Sequence, residues 1–135
     1  MNTQLSSDLS AQVIGCAMVV HRTLGSGYHE SVYQNALCLE LAEAGIHFET
    51  HKKLCVFYKG RPVGDFEADV IVADSLLLEL KAVENLNKAH EAQVVNYLTT
   101  TGIEHGLLLN FGSSSLQFKK KFRVYRASEP PLLQS

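Results

Sequence analysis

The stretch Asp65-Phe66-Glu67-Ala68-Asp69-Val70-Ile71-Val72-Ala73-Asp74-Ser75-Leu76-Leu77-Leu78-Glu79-Leu80-Lys81 decides how this chain folds. It predicts two strands joined by a tight turn at Asp74-Ser75. Side chains alternate across a strand, so Val70, Val72, Leu78 and Leu80 share one parity and face a core. Glu67, Asp69, Glu79 and Lys81 share the other. Charges two residues apart inside so apolar a run require an explanation. The geometry also makes a demand: Asp69 sits opposite Glu79 on one face only if Val72 lies near Leu76, leaving a loop from Ala73 to Ser75. A shorter, two-residue loop would send the two carboxylates to opposite faces. The register that keeps them together is the expected one.

Working outward, a short link at 83–87 leads to a helix predicted over 88–101, on which His90, Gln93 and Tyr97 recur at i, i+3 and i+7. His90-Glu91 opens like a zinc-protease H-E-x-x-H motif, but Val94 stands where the second His is needed, and the match fails. Gly106 to Phe111 reads as a buried strand. A last strand is predicted over 116–126, with Lys119, Lys121 and Arg123 on one face. Such a stripe follows a phosphate backbone, or protects a sheet edge from unwanted pairing. Both readings stand.

Toward the N-terminus, Leu9, Val13, Ala17, Val20 and Leu24 recur at helical spacing, and Ser7-Asp8 is placed to cap that helix. A second helix starts at Gly27 or Tyr28 and runs to Ala44, where Gly45 stops it. Glu30, Tyr33, Gln34 and Leu37 share a face of it. On residues alone Glu30 is a favourable charge at the positive end of the helix dipole, and Tyr33 is open equally to packing against the sheet and to a functional role. The segment 46–58 reads as the first strand, with Lys59-Gly60-Arg61-Pro62 turning into the second. His47 and His51 are four apart, which on a strand is about 13 Å, too far to share one ion.

Three of these segments carry a resemblance. Asp69 followed by Glu79-Leu80-Lys81 resembles the D…(D/E)-x-K signature of the PD-(D/E)XK nuclease superfamily. Gln93-x-x-x-Tyr97 resembles the Q-x-x-x-Y motif of its RecB-like branch, and Gly27-x-x-Glu30-x-x-Tyr33 is similar to the motif that names the GxxExxY family. The position before Asp69 is Ala68 rather than Pro. The resemblance covers residues 9–126 and implies an α/β fold with a PD-(D/E)XK (restriction-endonuclease-like) core. Its order is αβββαβ, with an extra N-terminal helix and C-terminal strand. It implies a metal-dependent nuclease that hydrolyses nucleic-acid phosphodiester bonds. The catalytic set would be Glu30, Asp69, Glu79, Lys81, Gln93 and Tyr97. Asp69, Glu79, the backbone carbonyl of Leu80 and Glu30 would hold Mg2+, with Mn2+ able to substitute. Lys119, Lys121 and Arg123 would contact the nucleic acid, taken to be DNA.

Composition sets the outer bounds. At 135 residues and 46% hydrophobic, the chain predicts one globular domain over 1–126, followed by a loose tail at 127–135. No apolar run reaches membrane-spanning length, and Met1-Asn2-Thr3-Gln4 lacks the basic and apolar regions of a signal peptide, so a cytoplasmic location is expected. Cys16, Cys38 and Cys55 lie among apolar neighbours without a C-x-x-C pair, and are expected as buried thiols. A net charge of -2 provides no general basic field. Clustered site carboxylates lower net charge while a bound metal cancels it locally. No P-loop or dinucleotide-binding glycine pattern is present.

Two other function classes remain open on sequence. A binding module that keeps the nuclease fold would use Lys119, Lys121 and Arg123 without metal. A homo-oligomeric structural protein would associate through the apolar face of the first helix. The paired carboxylates and lysine argue against both, because a site released from catalysis has no reason to keep those charges together.

Overall fold

The computed structural model describes residues 3–125; the predicted tail at 127–135 lies outside the described residues. Eight elements follow in order: α1 (Thr3–Leu24), α2 (Glu30–Glu43), β1 (Phe48–Tyr58), β2 (Arg61–Val72), β3 (Leu76–Lys81), α3 (Lys88–Thr101), β4 (His105–Asn110) and β5 (Gln117–Phe122). The strands form one sheet in the order β1-β2-β3-β4-β5. All neighbours are antiparallel except β3 and β4, which α3 connects as a parallel pair. This is the expected αβββαβ core, with α1 and β5 added at its ends.

A parallel pair has both faces covered and reads as unbroken apolar sequence. Leu76-Leu77-Leu78 on β3 and Leu107-Leu108-Leu109 on β4 are such runs, and all six residues are buried. Their two parities serve two helical layers. Leu76, Leu78, Leu80, Leu107 and Leu109 pack with Val70 and Val72 against α1 and α2, which contribute Val13, Ala17, Val20, Tyr33, Leu37 and Leu41. On the opposite face Ile71, Leu77 and Leu108 meet Val94 and Leu98 of α3. Gly106 marks the closest approach of that helix, since a Cβ there would lie 2.8 Å from Val94 Cγ1.

Local signals place the helix ends. The Asn87 side chain accepts from the His90 backbone N–H, and His90 Nδ1 accepts from the Asn87 N–H, which starts α3. Gly102 ends it in the left-handed conformation, with φ 78°. Gly45 takes the same role after α2, with φ 74°. The N-terminal expectation is corrected: α1 is already helical at Thr3, so Ser7-Asp8 lies inside the helix and does not cap it. The last strand is shorter than 116–126, because β5 ends at Phe122. Cys16 and Cys38 are half-buried, but Cys55 is exposed, contrary to the expectation of three buried thiols. It lies where the β1–β2 hairpin has left the core. No helix among the described residues is long and apolar enough to cross a membrane.

The β2–β3 hairpin has the expected register. Val70 pairs with Leu78, Ile71 with Leu77 and Val72 with Leu76, leaving Ala73-Asp74-Ser75 as the loop. Ala73 and Asp74 both take positive φ there. Further down β2 the simple alternation fails. Val70 packs toward α1 and α2, yet Ala68, of the same parity, packs with the α3 cluster. Phe66, of that parity too, stacks on Tyr97 of α3. The reversal falls at Asp69, across from His51 of β1, which has a φ of 55°. The grouping of Glu67 with Asp69 by parity is therefore corrected: Glu67 turns to His51, with Nδ1 and Oε1 3.4 Å apart.

Candidate active site

The ladder between β2 and β3 stops at Val70 and Leu78. One step further, Asp69 Oδ2 accepts the backbone N–H of Leu80 at 2.8 Å, taking the place a main-chain carbonyl would have had. A side chain is longer than the carbonyl it replaces, so the strands part here and the charged groups fill the opening. β3 itself stays in register with β4 through Glu79 and Lys81, which pair with Leu108 and Asn110. The Asn110 side chain, fully buried, then clasps the next segment. Its Oδ1 accepts from the Val83 N–H and its Nδ2 donates to the Val83 carbonyl, both at 2.9 Å. Gly112 lets this loop close, because a Cβ there would sit 2.3 Å from the Val83 oxygen. The end of β3 is thus held on both sides of Lys81.

Lys81 Nζ lies 3.2 Å from Gln93 Oε1 and 3.9 Å from Glu79 Oε2. Gln93 in turn donates from Nε2 to the Tyr97 hydroxyl at 2.9 Å. Tyr97 stacks on Phe66 with ring centroids 3.8 Å apart and an interplanar angle of 10°, which fixes α3 against β2. Asp69, Glu79, Lys81, Gln93 and Tyr97, singled out from sequence, therefore meet at one place. His90 does not join them; it belongs to the α3 cap.

The electrostatics of the pair are unfavourable as it stands. Glu79 is only 7% exposed, and its Oε1 is buried without a hydrogen-bond partner. Burial, then the charge of Asp69, push its pKa from 4.5 up to about 8; Lys81 opposes this and Glu30 adds to it. Burial also raises Asp69, against the lowering influence of the Leu80 N–H, Lys81 and His51. Tyr97 is raised by burial and by both carboxylates. An orphaned carboxylate oxygen beside a second carboxylate is the donor set a divalent, oxygen-preferring cation fits. Among the described residues no three His, Cys, Asp or Glu side chains converge closely enough to form a complete protein cage.

Glu30 stands back from this pair. It is the first residue of α2 and is exposed, in a cleft of about 380 Å³ lined by Tyr28, His29, Ser31 and Ala82. Expected to help hold the ion, directly or through an outer-shell water, Glu30 acts on Glu79 through its charge. Its companion Tyr33 is structural. The Tyr33 hydroxyl donates to the Gly25 carbonyl at 2.6 Å and accepts from the Tyr28 N–H, and its ring stacks on Phe111 at 4.8 Å. With Gly27 at a φ of 115°, this shapes the α1–α2 loop that delivers Glu30. The Gly27-x-x-Glu30-x-x-Tyr33 spacing is thereby explained as one turn, one charge and one anchor.

Two residues at the site were missed in the sequence. Gln34, nearly buried on α2, donates from Nε2 to the Asp69 carbonyl at 3.3 Å and to His51 Nε2 at 3.1 Å. It holds the backbone of Asp69 from behind while Leu80 holds the carboxylate in front. The strand spacing of His47 and His51 gives no sign of the role His51 takes beside Asp69. Its position opposite Asp69 follows from the β1–β2 register, which no local pattern encodes.

The predicted basic stripe is partly realised. Lys119 and Lys121 pair with Leu108 and Gly106 of β4 and so lie on the α3 side of the sheet. Lys121 bonds Glu91 at 2.9 Å. Arg123 is corrected: it follows β5, is 7% exposed, and lies over the Tyr125 ring at 4.0 Å, so it is not part of an exposed stripe.

A five-stranded sheet between helical layers, opened at a β2–β3 carboxylate pair with an adjacent lysine, defines a nuclease-type α/β domain. The chain belongs to the PD-(D/E)XK nuclease superfamily, whose family model matches residues 7–123. It is similar in fold to the protein solved as "Crystal structure of SSO0001", with a TM-score of 0.59 and 17% identity. That similarity covers 71% of this chain, which spans half the length of that one. No curated protein matches the chain.

Proposed function

We propose that this protein is a metal-dependent nuclease that hydrolyses nucleic-acid phosphodiester bonds, with DNA as its substrate. The observation that carries the proposal is Glu79 Oε1, buried without a partner beside Asp69 and within reach of Lys81. Asp69, Glu79 and the Leu80 carbonyl would hold Mg2+, or Mn2+ in its place, with Glu30 bearing on an outer water. The bound ion supplies Lewis-acid polarisation of the phosphate and a lowered pKa for the attacking water.

The chain's own groups do the positioning. The Leu80 N–H fixes one oxygen of Asp69, so the other would serve the ion. Lys81 orients the attacking water and offsets charge on the five-coordinate phosphorus. Gln93 and Tyr97 restrain Lys81, so its ammonium group does not collapse onto Glu79. The attacking water releases a proton to solvent as its oxygen bonds to phosphorus, the P–O ester bond breaks, and the departing oxygen takes a proton from solvent. Within the superfamily, Gly27, Glu30 and Tyr33 favour the GxxExxY branch, and Gln93 with Tyr97 favours a RecB-like relationship.

Calorimetric titration with Mn2+ at pH 8.5 tests the site without assuming a substrate. Wild type is expected to bind one ion, and Asp69→Asn to lose that binding. Equal binding by both proteins would remove the metal from this hairpin.

A further inference from the structure

The β1–β2 hairpin is longer than the sheet needs. Its strands run 11 and 12 residues, while β3, β4 and β5 have six each. β3 pairs only with residues 70–72 of β2, and the last contacts with α3 are made by Leu54 and Phe66. Beyond them, β1 and β2 continue paired to Tyr58 and Arg61 as a two-stranded ribbon with almost every residue exposed. An isolated ribbon gains little stability from itself, so its length is not accounted for by the core.

The chemistry of the ribbon's end is specific. Lys59 and Arg61 flank the turn, and the nearest acid along the chain is Asp65. Tyr58 is 63% exposed, Phe57 44% and Val63 61%, and Lys59 Nζ lies 5.5 Å from the Tyr58 ring centroid. Cations beside exposed aromatic rings suit phosphate and base edges. Arg61 stands on the same strand as Asp69, eight residues away, which is about 26 Å along an extended chain. That distance equals about 8 base pairs of duplex.

We infer that this ribbon is a substrate arm, which lies in the major groove of duplex DNA about 8 base pairs from the cut. The inference rests on the proposed nuclease function and extends it to a substrate class. A two-stranded ribbon fits the wide major groove of B-form DNA, and the deep, narrow groove of A-form RNA excludes it. The arm gives a small domain, with a net charge of only -2, a grip at a distance from its own carboxylates.

The test compares Lys59→Glu/Arg61→Glu with the unaltered ribbon, both carrying Lys81→Ala so that substrate survives the measurement. Fluorescence anisotropy is read on a labelled DNA duplex of about 24 base pairs, three times the arm's reach. Charge reversal is expected to weaken binding at least about tenfold and to flatten the log–log salt slope by about two. Ethylation interference should lose a patch about 8 base pairs from the site, and duplex RNA of the same sequence should bind weakly with either ribbon. Unchanged affinity, slope and footprint in the reversed protein would overturn the arm while leaving the nuclease reading standing. Failure of the unaltered ribbon to bind any nucleic acid would overturn both. If reversal instead dissolves a dimer in sedimentation, the ribbon serves a second copy of the chain and the inference is wrong. Matching melting temperatures establish that both proteins fold, and Lys59→Gln/Arg61→Gln is expected to fall between them.

Discussion

Replacing Glu79 by Gln asks whether the site is strained by its own charge. The folded protein holds a proton on Glu79 up to about pH 8, whereas an unfolded chain releases it near the ordinary glutamate value. Between those values the native state binds more protons, so stability falls as pH rises through the window. The contribution is fully present below about pH 4.5 and is lost as pH passes the folded value near 8. A shift of that size has a ceiling of about 5 kcal/mol at 1.36 kcal/mol per unit. Relaxation and the coupling to Asp69 reduce it, and about 2–3 kcal/mol is the expected measured effect. Glu79→Gln removes the charge and nearly keeps the shape. In EDTA, the variant should melt close to wild type at pH 5 and roughly 5–10 °C higher at pH 9. Adding Mn2+ at pH 9 should raise wild type and leave the variant unmoved, since only a bound ligand shifts the folding equilibrium. Melting curves that stay parallel from pH 5 to 9 would refute the reasoning.

Three further outcomes follow from the site's supports. Gln93→Ala frees Lys81 to close on Glu79, and turnover should fall about 10–100-fold with the melting temperature little changed, as for other outer positioning groups; an unchanged rate would show that Lys81 needs no restraint. Asn110→Ala leaves the Val83 N–H and carbonyl without their partners inside the protein, at a cost of about 2–4 kcal/mol in urea unfolding, and a cost under half a kcal/mol would mean that water replaces the clasp. Gln34→Ala releases the Asp69 carbonyl and His51 together, so Mn2+ affinity should drop about tenfold; calorimetry giving the wild-type value would confine Gln34 to packing.

The fold was legible wherever sequence pattern and burial carry the same period. The helix over 88–101 was readable from the i, i+3, i+7 spacing of His90, Gln93 and Tyr97, while the Asn87 cap that starts it emerged only from the structure. The β2–β3 register was readable because only one loop length keeps Asp69 and Glu79 together. The reversal at Asp69 was hidden: alternation is a rule for regular strands, and the irregularity lies opposite His51, whose φ is 55° on another strand. Gln34 and Asn110 were hidden for a related reason. Each is an amide whose partners lie 35 and 27 residues away, so its value appears only once the sheet is assembled. Arg123 misled because parity continues past Phe122 on paper, whereas the strand itself stops. Glu30 and Tyr33 were legible as a motif, but their separate roles required the loop's geometry.

The central claim is tested most directly by cleavage of end-labelled duplex DNA by wild type and Lys81→Ala, each in Mg2+, in Mn2+ and in EDTA. Products that accumulate with wild type in either metal, vanish in EDTA and are absent with Lys81→Ala are the expected result. Cleavage that persists in EDTA, or that Lys81→Ala performs at the wild-type rate, would contradict the account.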